Sequence, residues 1–141
     1  MGKLFGTDGI RGIVNDDLTV DLALKIGASV TKVLKKNLNK KELKFVIGGD
    51  TRISREMLSS SVSAGVLSEG GSVIDVGVMP TPAISYLTKL LNCDGAFIIS
   101  ASHNPSKYNG IKVLDNNGYK LTEDMESEVE ELLLQDNFLY N

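Results

Sequence analysis

A serine, a histidine and an asparagine stand together at Ser102-His103-Asn104, inside the polar segment Ser100 to Pro105. That segment follows an apolar run, Ala96-Phe97-Ile98-Ile99, and precedes Asn109-Gly110-Ile111-Lys112. A hydroxyl is therefore presented on a loop where a buried strand is expected to stop, and proline restricts that loop. His103 is the only histidine of the chain. Three roles are open to Ser102. It can be a turn serine that bonds its own loop or caps a helix. It can be a hydrolase nucleophile with His103 as base. Against that, neighbours on an extended segment point in opposite directions, and no Gly-x-Ser-x-Gly elbow surrounds it. It can carry a phosphoryl group, which brings about −1.5 to −2 charges and three strong acceptor oxygens. His103, Asn104, Lys107 and Lys112 would be suitable company for that group.

Two further segments could serve an anion. Arg11 lies in Gly6-Thr7-Asp8-Gly9-Ile10-Arg11-Gly12, where Gly9 and Gly12 let the backbone approach closely and the guanidinium can make two parallel bonds to a phosphate. An N-terminal loop with an exposed ion pair is the alternative. The segment lacks the Lys-Ser/Thr pair of a Walker loop, and no strand precedes it as a dinucleotide fingerprint requires. Asp50-Thr51-Arg52 joins an expected strand to an expected helix. Capping by Asp50, Thr51 or Ser54 is one reading; Arg52 bracing the serine loop is the other. Lys112 is either an exposed strand lysine or a cation aimed at the carried phosphate, moving protons or neutralising charge. The lysines at 35, 36, 40, 41 and 44 and the acidic run Glu123 to Glu131 read as solvated faces, with no His/Cys cluster for a metal.

The elements that must position these residues follow from periodicity. Phe5 to Gly12 reads as a loop because of its three glycines. Thr19 is an expected N-cap before a helix carrying Val20, Ala23, Ile26, Val30, Val33 and Leu34. Leu43 to Ile47 is an expected strand. A helix after Ser54 places Leu58, Val62 and Val66 on one face and stops at Glu69-Gly70-Gly71. Ser72 to Val78 is an expected strand. Thr81-Pro82 starts a helix, with Thr81 as cap, through Ile84, Leu87 and Leu91. Gly95 to Ile99 is an expected strand. Ile111 to Leu114 and Tyr119 to Leu121 read as a hairpin about Asp115-Asn116-Asn117-Gly118. Thr122 caps an acidic helix with Met125, Val129, Leu132 and Leu133 on one face. This alternation predicts a three-layer α/β/α domain with a mainly parallel central sheet and an edge hairpin. The loops at 50–52 and 100–105 would then meet at the carboxyl ends of neighbouring strands.

Composition narrows the setting. At 141 residues a single domain burying about 70% of its unfolded surface is expected. The net charge of −3 gives no general attraction to nucleic acid or an anionic membrane. No apolar run approaches the ~20 residues that span a bilayer, and Met1 to Gly6 has no signal-peptide core. One cysteine, Cys93, excludes an internal disulfide, suits the cytoplasm, and reads as a small strand residue and not a nucleophile.

Taken together, Phe5 to Gly12, Gly49-Asp50-Thr51-Arg52-Ile53-Ser54, and Ser100 to Pro105 with Asn109 to Lys112 resemble the α-D-phosphohexomutases. The resemblance runs from Leu4 to about Leu134, and the opening segment is most similar to bacterial members that act on glucosamine phosphates. It implies four domains, of which residues 1–135 match the first and 136–141 form a tail or the start of a linker. It implies that Ser102 is phosphorylated and exchanges its phosphoryl group with a hexose phosphate through a hexose bisphosphate. In that scheme Arg11 and Lys112 contact the moving group, Lys112 is an acid/base candidate, His103 and Asn104 shape the loop, and Thr7, Asp50 and Arg52 support it. Mg²⁺ would bridge a phosphate oxygen on Ser102 to carboxylates outside this sequence. The family's Asp-Gly-Asp-x-Asp-Arg metal loop, Gly-Glu-x-Ser-Gly sugar loop and Arg-x-Ser-Gly-Thr-Glu phosphate clamp do not occur here. The chain alone is therefore expected to fold without turning over substrate. It is also expected to need the other domains as partners and to self-associate through surfaces such as Phe138, Leu139 and Tyr140. A phosphomannomutase or phosphoglucomutase domain, a non-catalytic binding module derived from such an enzyme, and a serine hydrolase are the competing readings.

Overall fold

A computed structural model describes residues 4–6, 9–101, 105 and 107–135. In chain order these residues form β1 (Ile10–Ile13), α1 (Val20–Leu38), β2 (Lys44–Gly49), α2 (Arg55–Ser68) and β3 (Ser72–Val78). Next come α3 (Thr81–Leu90), β4 (Gly95–Ile99), β5 (Tyr108–Leu114) and α4 (Glu123–Leu133). The strands make one sheet in the order β1-β5-β4-β2-β3. β2 lies between β3 and β4 and is parallel to both, while β5 and β1 extend the β4 edge antiparallel.

Alternation along the central strands builds two cores, one on each face. Phe45 and Ile47 of β2 and Phe97 and Ile99 of β4 pack beneath α1, α2 and α4 with Ile26, Val30, Leu58, Val62 and Val129. Val46, Ala96 and Ile98 face the other way, against Ile84 of α3. Strands covered on both faces read as continuous apolar runs, as Phe45-Val46-Ile47 and Ala96 to Ile99 do. The three-layer α/β/α class follows from that pair of cores.

The helix starts follow capping chemistry. Thr19 Oγ1 accepts from Leu22 N at 3.1 Å, and Thr122 Oγ1 accepts from Met125 N at 3.2 Å. Gly70 takes a φ of +81° just beyond α2. The cap of α3 is Pro80, one residue earlier than expected, so Thr81 is the first helical residue and Pro82 the second.

Two expectations about the edge are corrected. Ile10 to Ile13 is a strand and not loop, paired with Tyr108 to Ile111 of β5. Glycine made this segment look irregular, yet Gly9, at φ +90°, is what lets the chain pass directly against the Ile111 carbonyl. The predicted hairpin keeps its turn but has no second strand, since only Lys120 bridges back to Leu114. Asp115 closes the turn on itself, donating from its N–H to Tyr119 O (2.7 Å) and accepting from Asn117 N and Tyr119 N (2.8 and 3.0 Å). Thr122 then starts α4 at once.

The acidic helix is not a uniformly solvated face. Glu126 is only 3% exposed and pairs with Lys120 at 2.9 Å. Glu128 pairs with Lys36, whose ammonium, together with Asn37, holds the Glu128 carboxyl below its ordinary value. Lys40 likewise pairs with the buried Asp94 at 2.7 Å. Glu130 Oε1 accepts from the N–H groups of both Leu4 and Phe5, at 3.0 and 2.9 Å. That carboxylate tethers the segment that leads into β1, and Phe5 is buried beside it. Glu130→Ala should lower stability by about 1 kcal/mol, since it orphans a part-buried N–H. Amide exchange at Phe5 should accelerate more than exchange in β2, which a thermal melt and hydrogen exchange can check.

Candidate active site

β2 and β4 are adjacent and parallel, with Ile47 opposite Phe97 and Gly49 opposite Ile99. Their carboxyl ends therefore release Asp50-Thr51-Arg52 and the Ser100 segment side by side. This is the edge at which α/β sheets gather ligands. Asp50 N donates to Ile99 O at 3.1 Å, which ties the two exits together.

Strand register then sets the cations. Lys112 of β5 is opposite Ile98 of β4, and Arg11 of β1 is opposite Gly110 of β5. Gly110 and Lys112 are two residues apart on one strand, so they share a face, the one occupied by Ile98 and α3. Arg11 projects from that face too. Gly110 must be glycine here: a Cβ would lie 2.8 Å from Ser100 O and 2.9 Å from Arg11 Cγ. The arginine stem thus lies over bare backbone next to the start of the serine segment. Ser100 N donates to Gly110 O at 2.9 Å, fixing where that segment leaves the sheet.

Arg52 reaches the same segment from the other side. Its Nη1 donates to the carbonyls of Pro105 (2.9 Å) and Tyr108 (3.2 Å), while Asp50 orients it through Nε (3.2 Å). Asp50 also accepts from Arg52 N at 3.1 Å, so its carboxylate organises the turn instead of pointing to a ligand. Asn109, fully buried, donates from Nδ2 to Ser54 Oγ at 2.8 Å. Asn109 and Ser54 both lie in the segments that carry the family resemblance, but sequence reasoning gave neither of them a role in the site. Ser102, His103, Asn104 and Thr7 lie outside the described residues.

A cleft of about 180 Å³ opens beside Lys112, lined also by Phe5, Gly9, Thr81, Lys120 and Glu126. A roomier one, about 450 Å³, is lined by Lys40, Lys89, Cys93 and Asn116. It lies at the amino end of β4, away from Ser100, and has no part in this chemistry. Burial pushes the Cys93 thiol up, an effect Asp94 adds to and Lys44 opposes, which suits the inert role. Among the described residues, no group of three or more His, Cys, Asp or Glu side chains could hold a metal ion. Among them, too, no helix is long and apolar enough to cross a membrane.

Residues 2–139 match the family described as phosphoglucomutase/phosphomannomutase, alpha/beta/alpha domain I. This chain belongs to that family. Curated relatives named phosphoglucosamine mutase match nearly all of this chain. One from Alkaliphilus oremlandii is 53% identical over 134 residues, 95% of this chain and 30% of its own length. One from Clostridium botulinum strain Hall is 50% identical over 136 residues, 96% of this chain and again 30% of its own. A solved structure of a putative phosphomannomutase from Thermus thermophilus superposes with a TM-score of 0.83 at 26% identity, covering 94% of this chain and 30% of that one. The Paramecium phosphoglucomutase parafusin gives 0.76 at 26% identity, covering 95% and 26%. The chain thus spans about 30% of the curated relatives' length. Family membership implies a metal cofactor, for which the described residues provide no complete site.

Proposed function

We propose that this chain is the phosphoserine domain of a phosphoglucosamine mutase. In the complete enzyme it would interconvert glucosamine 6-phosphate and glucosamine 1-phosphate through a bisphosphorylated sugar. The carrying observation is the shared face of Arg11, Gly110 and Lys112 beside Ser100, two residues before Ser102. A cationic arginine and lysine flanking the exit of a serine segment suit a phosphate that carries about two negative charges.

The step balances as a transfer between oxygens. The bond from Ser102 Oγ to phosphorus breaks, and a sugar hydroxyl forms the new bond to phosphorus. The hydroxyl proton passes to a base, for which Lys112 is the acid/base candidate, and the bonding electron pair returns to Ser102 Oγ, which takes up a proton in turn. Reversal with the other phosphate restores the phosphoserine. Arg11 would stabilise the charge on the equatorial oxygens. His103, Asn104 and Thr7 would shape the loop, while Asp50 and Arg52 brace it from behind. Mg²⁺ would supply further charge neutralisation at the phosphoserine. The acidic ligands for it are not assembled among the described residues. Residues 1–135 would form the domain, with 136–141 leading out of it, and the protein would act in the cytoplasm.

Catalysis of this kind rests on enclosure and positioning, and the face described here is one open wall. The chain alone should therefore show no turnover. Mixing it with a polypeptide that supplies the remaining domains, with Mg²⁺, and assaying glucosamine, mannose and glucose phosphates tests the reading. Activity confined to glucosamine phosphates is expected. Activity confined to mannose or glucose phosphates would move the chain to a sister activity. Stable assembly without activity on any sugar would leave a non-catalytic module.

A further inference from the structure

We infer that Asn109 and Ser54 form a positioning pair that holds the junction between β5 and the serine segment, and through it the alignment needed for phosphoryl transfer. The inference deepens the carrier reading of Ser102 and rests on it for its catalytic meaning, though not for its structural test.

Asn109 is fully buried, where an unsatisfied amide would be costly. Both ends of its side chain are engaged. Nδ2 donates to Ser54 Oγ at 2.8 Å, and Oδ1 accepts from Gly110 N at 2.8 Å. One planar amide thus clamps the peptide between 109 and 110 to the start of α2. Ser54 makes the complementary sacrifice. It stands at the N-cap of α2 in right-handed helical conformation, and its side chain makes no capping bond. A serine there ordinarily bonds the second or third helical N–H. Here its oxygen accepts from Asn109 instead.

Gly110, fixed by this clamp, adjoins both the serine segment and Arg11. Gly110 O accepts from Ser100 N, Gly110 lies under Arg11 Cγ, and Lys112 follows two residues on. If the amide rotates away, Gly110 shifts, the Ser100 bond lengthens, and Arg11 loses its bed. Effects on transfer from displacements near 1 Å reach about 10²-fold. Arg52 holds the end of the same segment through Pro105 and also bonds Tyr108 O, next to Asn109, so the brace and the clamp act on adjoining residues.

The test uses Ser54→Ala, which spares the buried Asn109, and Ser54→Thr, which returns a hydroxyl. Hydrogen exchange on this chain, read by NMR, is expected to accelerate about fivefold or more at Ser100 and Gly110 in Ser54→Ala. Exchange at Ile47 and Phe97 should stay near the parent value, and Ser54→Thr should restore the parent pattern. Equal acceleration at all four amides, or at none, would overturn the clamp. In the assembled enzyme, Ser54→Ala should lower kcat by tenfold or more with KM for the sugar phosphate nearly unchanged. An unchanged kcat alongside the local exchange effect would overturn the positioning role. If the unsubstituted assembly shows no transfer at all, the carrier reading fails, and the exchange contrast by itself decides whether the pair holds the junction.

Discussion

Ser102→Ala is expected to abolish phosphoryl acceptance while leaving the domain folded. The substitution removes one oxygen, and in a covalent relay that oxygen is the acceptor itself. Loss on the order of 10³-fold or more is therefore expected, not a graded weakening. The fold should survive because residue 102 belongs to none of the strands and helices, and the change removes a single oxygen. Intact-mass measurement after incubation of the assembled enzyme with a hexose bisphosphate should add one phosphate to the parent chain and none to the variant. A thermal melt should show the two equally stable within about 0.5 kcal/mol, because the substitution removes a single atom and touches none of the helices or strands. Full acceptance by Ser102→Ala would refute the assignment. Modification of Ser102 by a fluorophosphonate, with no phosphate taken up, would favour the hydrolase. Arg11→Ala and Lys112→Ala should weaken acceptance instead of abolishing it. They would remove charge stabilisation around the phosphate and leave the acceptor in place.

Residue patterns carried the central architecture because burial on both faces leaves an unmistakable trace. Phe45 to Ile47 and Ala96 to Ile99 are apolar at every position, and helices on both sides are the physical requirement for that. Threonine caps at 19 and 122 were equally plain, since a side-chain oxygen before an apolar-periodic stretch has one job. The periphery was less legible. β1 is four residues long with a glycine inside it, and its pairing with β5 depends on close approach at Gly9, which no local pattern encodes. The turn at Asp115 looked like a hairpin because Asn-Asn-Gly is hairpin chemistry. The bonds that Asp115 makes to its own turn were invisible.

For the site, the adjacency of the 50–52 and 100–105 loops followed from strand alternation, and Arg52 could be read as a brace of the serine loop. The geometry adds how it reaches that loop, through two carbonyls. Asn109, Ser54 and Glu130 were out of reach for one shared reason. Each acts through a partner more than fifty positions away in the chain. A polar residue with a distant partner leaves the same trace in sequence as one in water. The acidic helix misled for a different reason: Glu126 is buried against nearby Lys120, while its acidic neighbours made the whole run look solvated.

Phe97→Ala should cost about 3–5 kcal/mol, the largest single stability loss expected in this domain. The ring is fully buried in the middle of β4, 5.1 Å from the Phe45 ring at a 44° tilt. Neighbouring strands run on both sides of β4, so the hole cannot close without moving the sheet. Against a total stability of about 5–15 kcal/mol this is a large fraction. The thermal midpoint should fall by roughly 10–20 °C for a chain of this size. Tyr119→Ala is the natural comparison, because that ring is 70% exposed and its removal should shift the midpoint by only a degree or two. Phe45→Ala alone and with Phe97→Ala completes a cycle whose coupling should be about 0.5–1.5 kcal/mol, the share of tilted ring contact beyond area. Equal midpoints for Phe97→Ala and Tyr119→Ala would contradict the register that puts Phe97 opposite Ile47. The link to function runs through the same strand. Ser100 begins where β4 ends, so a chain with Phe97→Ala should accept phosphate only in proportion to its folded fraction. Lowering the temperature should recover acceptance in Phe97→Ala, which no cooling can do for Ser102→Ala.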